Sequence, residues 1–196
     1  MSDYHVLFAV SAAIIGIAGF APYFKDVLKG TKKPHVFTWA IWSLLTGLIF
    51  FIQITDGGGA GAWVTGLESL CCFAILAVAY ANGEKNITRI DWFCFITALV
   101  AIALWLLAHQ PLLAVFLVIA ADILGYGPTL RKSWHKPHEE TAMLYTLSSI
   151  HWLLSIVALQ SLTVVNWLYP GVIFMIDIIL VAELLIRRRQ MSTATR

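Results

Sequence analysis

Seven apolar runs, each long enough to cross a lipid bilayer as a helix, follow one another along this chain. A bilayer core of roughly 30 Å requires about 20 residues of helix. Because hydrocarbon offers no hydrogen bonds, the backbone of such runs must pair internally, which favours helices. The runs cover residues 5–24, 36–55, 61–81, 90–108, 111–130, 141–160 and 163–186. They predict an all-α membrane protein with seven transmembrane helices.

The basic residues of the chain predict its orientation. All 13 Lys and Arg residues follow the first, third, fifth or seventh apolar run. Since Lys and Arg collect on the cytoplasmic side, the N-terminus is expected outside and the C-terminus in the cytoplasm. The first residues, MSDYH, lack the basic region of a cleaved signal peptide, so the first run is expected to stay as a helix. We expect a multi-pass protein of a bacterial inner (plasma) membrane, in contact with the lipid bilayer.

The composition agrees with a membrane protein and excludes some functions. Only 12% of the residues are charged and 60% are hydrophobic, whereas a soluble domain carries about a quarter charged residues. Basic residues in such short loops lack a folded element that reads bases, so no nucleic-acid partner is expected. The three cysteines fall in apolar runs, where packing is the simplest interpretation. The length allows a single membrane domain, residues 1–196.

An internal repeat is visible in the connectors. Residues 19–25 and 125–131 share a Gly, a Pro and a terminal basic residue at a constant offset of 106. Each segment is followed by Lys-Pro-His, at 33–35 and at 136–138. Because three helices are an odd number, an extra helix is needed to restore the direction of a second copy. The sequence thus predicts a first three-helix repeat, a linker helix, a second parallel three-helix repeat and a cytoplasmic tail, at residues 5–81, 90–108, 111–186 and 187–196.

Four prolines recur at matching places in the two predicted repeats. Pro22 and Pro128 lie near the ends of runs, whereas Pro34 and Pro137 lie near the starts of the next runs. They could simply end and begin helices, because Pro is well tolerated at a first helical turn. Alternatively, the four are hinges that let one end of the bundle open and close.

The segment after the first run resembles a known transporter motif. Pro22 followed by Lys29-Gly30-Thr31-Lys32 is similar to the PQ-loop pattern, in which Pro-Gln precedes Lys-x-x-Lys; Tyr23 and Thr129 stand where that pattern has Gln. With the repeat layout, nearly the whole chain resembles the SWEET and PQ-loop superfamily. The resemblance implies small-solute transport by alternating access. The KDEL receptor shares the layout, so ligand binding without transport is the alternative that it implies.

Three ionisable residues lie deep in the predicted helices of the second repeat. Asp122 is near the middle of the fifth run, His151 of the sixth, and Asp177 just past the middle of the seventh. Such residues are costly in lipid and usually face a cavity or a partner. We expect Asp122 to carry a coupling proton, assisted by His151 or Asp177. The alternative is that they only form hydrogen bonds within the core.

Polar and aromatic residues at helical spacing form a candidate substrate site. The candidates are Trp42, Thr46, Glu68, Tyr145, Ser148, Trp152, Asn166 and Asp177. Hydroxyl groups in membrane helices can instead serve packing. Tryptophans near run ends are expected at the membrane interface; these are Trp39, Trp63, Trp92, Trp105 and Trp167.

Nothing in the sequence predicts an enzyme. No zinc-ligand spacing, nucleophile elbow or phosphate-binding loop is present. His135 and His138 lie in a basic loop that would repel a metal cation, so neither a metal nor a cofactor is expected. We therefore expect a transporter of a small-molecule polar solute. A ligand-binding receptor or sensor and a structural membrane protein are the alternatives, and the sequence leaves a homo-oligomer open.

Overall fold

The protein is all-helical, as its sequence predicts. The computed structural model describes residues 3–30, 34–83, 87–135, 137–138 and 142–194. Within these ranges the helices are α1 (Asp3–Leu28), α2 (Val36–Thr55), α3 (Ala60–Asn82), α4 (Arg89–Leu106), α5 (Pro111–His135), α6 (Ala142–Ala158) and α7 (Val164–Ala194). Several residues of the predicted basic loops fall outside the described ranges, namely Thr31, Lys32, Lys33, Lys85, Lys136 and Arg196.

Four of the helices are long and apolar enough to cross a membrane. They are α1, α2, α3 and α7, at Tyr4–Leu28, Val36–Thr55, Ala60–Ala81 and Val164–Ser192. The other three, α4, α5 and α6, have shorter apolar segments, at Trp92–Leu106, Pro111–Tyr126 and Ala142–Ala158. The membrane character of the chain therefore agrees with the sequence, while the number of crossings stays a prediction.

The distribution of side chains suits a lipid environment. Leu70 and Phe73 on α3 are more than half exposed, and many other large apolar side chains also face outward. Polar side chains are instead found inside, including Gln53, Thr65, Asp122, Ser155, Asn166 and Asp177. Since lipid solvates apolar groups and not polar ones, this arrangement places each kind of side chain where its burial cost is lowest.

The helices pack as two groups joined along one face. In the first group α3 packs against both α1 and α2, and in the second α7 packs against both α5 and α6. Between the groups, α1 packs against α6 and α2 packs against α5. Helix α4 packs against α5 and α2. The space between the two groups is where the site described below lies.

Helices α5 and α7 are longer than predicted. They run to His135 and Ala194, beyond the expected ends at residues 130 and 186. Arg187 on α7 donates a 2.9 Å hydrogen bond to the Trp134 carbonyl and lies 4.5 Å from the centre of the Trp134 ring. Arg188 donates to the Pro137 carbonyl over 3.0 Å. These contacts fix the start of the predicted tail, which is helical through residue 194, against the end of α5 and the connection that follows it.

The four predicted hinge prolines have different positions. Pro22 lies inside α1 and Pro128 inside α5. Pro34 precedes α2, whose first turn is capped by the His35 ring through a 3.3 Å bond from the Thr38 N–H. Pro137 lies in the connection after α5, ahead of α6. Of these four prolines, Pro22 and Pro128 are the ones that interrupt helical backbone, where a missing N–H permits bending.

Candidate functional site

A cavity of about 640 Å³ lies between the two helix groups. Side chains from α1, α2, α3, α5, α6 and α7 line it. It reaches Pro22 and the exposed Met143 at the end of the bundle that carries Lys25 and Arg187, called the basic end below. The predicted site residues that line it are Trp42, Thr46, Glu68, Asp122, Tyr145, Ser148, His151, Trp152 and Asp177. Residues predicted from five separate runs thus share one cavity.

Asp122 on α5 has one hydrogen-bond partner in each of the two helix groups. Its side chain is buried and accepts hydrogen bonds from Tyr169 on α7 and from Trp42 on α2. Trp42 also brings its indole nitrogen close to the backbone at Gly125, where an added Cβ would lie 3.8 Å from it. The carboxyl is therefore held by one residue from each side of the cavity.

Asp177 lies fully buried on α7. The Tyr126 hydroxyl donates to its Oδ1 over 3.4 Å, and Ser148 on α6 lies beside the same carboxyl. Its other oxygen, Oδ2, has no hydrogen-bond partner among the described residues. A buried polar atom without a partner is unfavourable, so this oxygen is a candidate contact for a solute or a proton.

His151 and Glu68 face each other across the packed helices α6 and α3. The His151 Nδ1 lies 2.9 Å from the Ala12 carbonyl oxygen, which can only accept, so Nδ1 must be the donor. The other nitrogen, Nε2, faces the Glu68 Oε2 at 3.6 Å. A bare nitrogen lone pair opposite an ionised carboxylate would be repulsive. The arrangement is therefore favourable when a proton resides on one of the two partners.

Gly16 makes room for the His151 ring. A Cβ at this position would lie 2.7 Å from the His151 Nδ1, closer than the atoms can approach. Replacing Gly16 by alanine should therefore push the ring away from the Ala12 carbonyl. Because a buried group left without its hydrogen bond costs about 1–3 kcal/mol, we expect Gly16→Ala to lower the thermal unfolding temperature of the purified protein.

Gly19 offers the matched control for this substitution. It lies on the same helix, and its added Cβ would have ordinary contacts, the nearest at 3.9 Å to Leu147. Alanine is also the better helix former, so Gly19→Ala should leave the unfolding temperature unchanged or raise it. If Gly16→Ala were equally harmless, the His151 ring would not be held as described.

Aromatic rings form two walls of the cavity. Towards the basic end, the Trp39 ring lies 5.4 Å from Tyr23 and 5.2 Å from Trp42, between ring centres. Deeper, the Trp152 and Tyr169 rings meet edge to face at 5.5 Å. Trp39, which we predicted to lie at the membrane interface, is instead only 9% exposed and lines the cavity.

The end of the bundle opposite the basic end is closed by a hydrogen-bonded network around Asn166. This network is called the closure below and comprises residues 53–59 and 160–166. The Asn166 side chain donates to the carbonyls of Asp56 and Ser161, over 3.1 and 2.9 Å. Thr163 donates to the Asp56 carboxylate. Asn166 was a predicted substrate-binding residue, but the structure places it in the closure and not among the cavity-lining residues.

Pro170 explains why the closure forms at this point of α7. Proline has no N–H, so the carbonyl four residues earlier, that of Asn166, loses its helical partner. Gln53 on α2 supplies the replacement, donating from Nε2 to this carbonyl over 2.7 Å. The two helix groups are thus joined through the Asn166 carbonyl, which has no helical partner because residue 170 is proline.

A glycine-rich turn completes the closure. Gly57 and Gly59 have positive φ values of 76° and 60°, a backbone region that other residues adopt only with strain. The turn lets the Gln160 N–H donate to the Gly58 carbonyl over 3.0 Å. The connection between α2 and α3 is therefore bonded directly to the connection between α6 and α7.

Several residues of the site were not predicted. Tyr126, which donates to Asp177, and Pro170, which shapes the closure, are the examples; Tyr169 was expected on the cavity face of the seventh run together with Asn166 and Asp177. A sequence signal existed only for Pro170, which lies inside an apolar run four residues after an Asn. His135 and His138 are exposed near the basic end, and the described part of the chain contains no cluster of residues suited to holding a metal.

The chain resembles none of the curated proteins, and none of the solved structures, at a significant level. The site therefore has to be interpreted from its own geometry. No protein-family model matches the chain.

Proposed function

We propose that the protein moves a small polar solute across the membrane by alternating access, coupled to protons. The observation that carries this proposal is the position of the cavity between two helix groups, which hydrogen bonds join at the end opposite the basic end. The lining residues extend to the basic end, while hydrogen bonds connect the same two groups at the other end. A carrier needs such an arrangement, in which one closure can break while another forms.

The packing of the helices supports two repeats of three helices joined by α4. Exchanging α1, α2 and α3 for α5, α6 and α7 converts each contact between these helices into another contact that exists. For example, the α1–α6 contact becomes the α5–α2 contact, and α2–α7 becomes α6–α3. This pattern is what a repeat about an axis along the membrane normal predicts. We propose a divergent member of the SWEET and PQ-loop superfamily, with seven crossings and the basic end in the cytoplasm.

The buried acids support proton coupling. Asp122, Asp177 and the His151–Glu68 pair lie around one cavity, and ionisable groups of this kind form proton relays in transporters. We propose that Asp122 carries the coupling proton. The His151–Glu68 pair and Asp177 exchange protons with the cavity when the solute enters.

A test that needs no knowledge of the solute is labelling from both sides. The change is Ser148→Cys in a variant without native cysteines (Cys71→Ser, Cys72→Ala, Cys94→Ala). A membrane-impermeant thiol reagent is added to intact cells and to inverted vesicles. Since a carrier exposes its site alternately to both sides, we expect labelling at residue 148 from the cytoplasmic side and, more slowly, from the outside.

Ile150→Cys in the same background is the control, because Ile150 lies on α6 but outside the cavity lining and is 39% exposed. We expect it to stay unlabelled from either side, since lipid excludes a charged reagent. Labelling of residue 148 from one side alone, even after the closure is weakened by Asn166→Ala, would contradict a carrier and favour a ligand-binding receptor.

A further inference from the structure

We propose that the solute is a compact organic cation without a carboxylate, such as an aliphatic amine or a guanidine base. This inference rests on the proposed carrier function and deepens it by naming the class of solute. Four properties of the cavity support it: its charge, its unpartnered oxygen, its aromatic walls and its volume.

The acidic residues that line the cavity outnumber the basic ones among the described residues. Glu68, Asp122 and Asp177 lie close enough to interact electrostatically, and Asp26 lines the cavity nearer the basic end. Among the described lining residues there is no Lys or Arg. The proton that His151 and Glu68 share leaves this pair neutral overall, so the net negative charge of the cavity comes from its aspartates. A cation therefore finds carboxylate partners here, whereas an anion finds only neutral donors among the described lining residues.

The unpartnered oxygen marks where a donor is missing. Asp177 is 0% exposed, and its Oδ2 lacks a hydrogen-bond partner in the described structure. An ammonium or guanidinium group has the N–H donors that a carboxylate oxygen requires. Such charge-assisted hydrogen bonds are about twice as strong as those between neutral groups.

The aromatic walls favour the same class of solute. Trp39 and Trp42 lie on the path from the basic end, and Trp152 and Tyr169 lie beside the buried aspartates. The faces of aromatic rings attract cations, Trp most strongly. Carboxylates surrounded by rings thus offer a cation both charge and contact area.

The same features disfavour an amino acid. An amino-acid carboxylate would have to enter beside Asp122 and Asp177 without a Lys or Arg partner among the described lining residues, so much of its loss of water would be uncompensated. Specificity of this kind arises from repulsion of the wrong solute as much as from attraction of the right one. The cavity volume of about 640 Å³ lies within the range of small-molecule sites, so size alone excludes neither class.

Two pairs of probes separate these possibilities. Agmatine and arginine differ by one carboxylate, and so do cadaverine and lysine. We measure the binding of each to the purified, unmodified protein in nanodiscs by isothermal titration calorimetry, with glucose as a neutral probe. We expect the Kd of agmatine to be at least about tenfold lower than that of arginine, and the Kd of cadaverine to be at least about tenfold lower than that of lysine. Glucose should not bind.

A variant pair then locates the binding. Asp177→Asn should weaken the binding of agmatine at least about tenfold. Glu183→Gln changes a carboxylate on α7 that is not among the described lining residues, so the affinity for agmatine should be unchanged in this variant. Arginine binding as tightly as agmatine, or neither amine binding, would overturn the proposal. Because the first comparison uses unmodified protein, misfolding of a variant cannot decide it. The labelling of Ser148→Cys tests the carrier separately, so either proposal can fail alone.

Discussion

Asp122→Asn should abolish solute-driven proton movement while leaving the protein folded. Asparagine has the same shape and retains an oxygen that can accept from Tyr169 or Trp42, the two partners of Asp122. It cannot release a proton, so the coupling step is lost. We expect solute-dependent acidification, read by a pH-sensitive dye inside proteoliposomes, to fall at least about a hundredfold, as expected when an essential proton-transfer group is removed.

The control for this measurement is Glu183→Gln. Glu183 is also a carboxylate on a long apolar helix, but it is absent from the cavity lining within the described residues. We expect its acidification rate to match that of the unmodified protein. Full activity of Asp122→Asn would remove Asp122 from the mechanism and leave Asp177 and the His151–Glu68 pair as the proton carriers.

Asn166→Ala should open the closure. The substitution removes two donors and leaves the carbonyls of Asp56 and Ser161 without their 3.1 and 2.9 Å bonds. Each group left unpaired costs about 1–3 kcal/mol. The bonds exist only when the closure is formed, so their loss destabilises that state alone. The equilibrium should therefore shift at least about thirtyfold towards the state in which the closure is broken. Labelling of a cysteine at residue 148 from outside the cell should become correspondingly faster.

Gln160→Ala is the control within the closure. Gln160 bonds to Gly58 through its backbone N–H, which alanine retains, and its side chain is exposed. Labelling from outside should therefore be unchanged in this variant. An Asn166→Ala protein that labels no faster than Gln160→Ala would show that the closure is not the barrier to the outside.

The resemblance to SWEET and PQ-loop transporters and the orientation predicted from the Lys and Arg residues both stay predictions. Labelling of Ser148→Cys tests the orientation as well, because it identifies the side from which the basic end is reached. If the faster labelling came from outside the cell, the basic end would be extracellular and the interpretation of the Lys and Arg distribution would be wrong.

The helical architecture and the buried acids follow from local properties of the sequence. Apolar runs of the right length form helices because lipid leaves the backbone no other partner. Asp122, His151 and Asp177 are conspicuous because each interrupts such a run. The polar face of α6, with Tyr145, Ser148 and Trp152, follows from the 3.6-residue period. None of these inferences requires knowledge of which helices touch.

The tertiary structure alone decided which of these faces meet. Helical periodicity places Glu68 and His151 on their own helices, but only the packing of α3 and α6 brings them to 3.6 Å. The same holds for Tyr126 and Asp177, which are 51 residues apart in sequence. Asn166 has the periodicity of a cavity residue, yet Pro170 leaves its carbonyl open to Gln53, so it belongs to the closure. A pattern within one helix specifies a direction around that helix, whereas a site requires the distances between helices, which depend on packing along the whole chain.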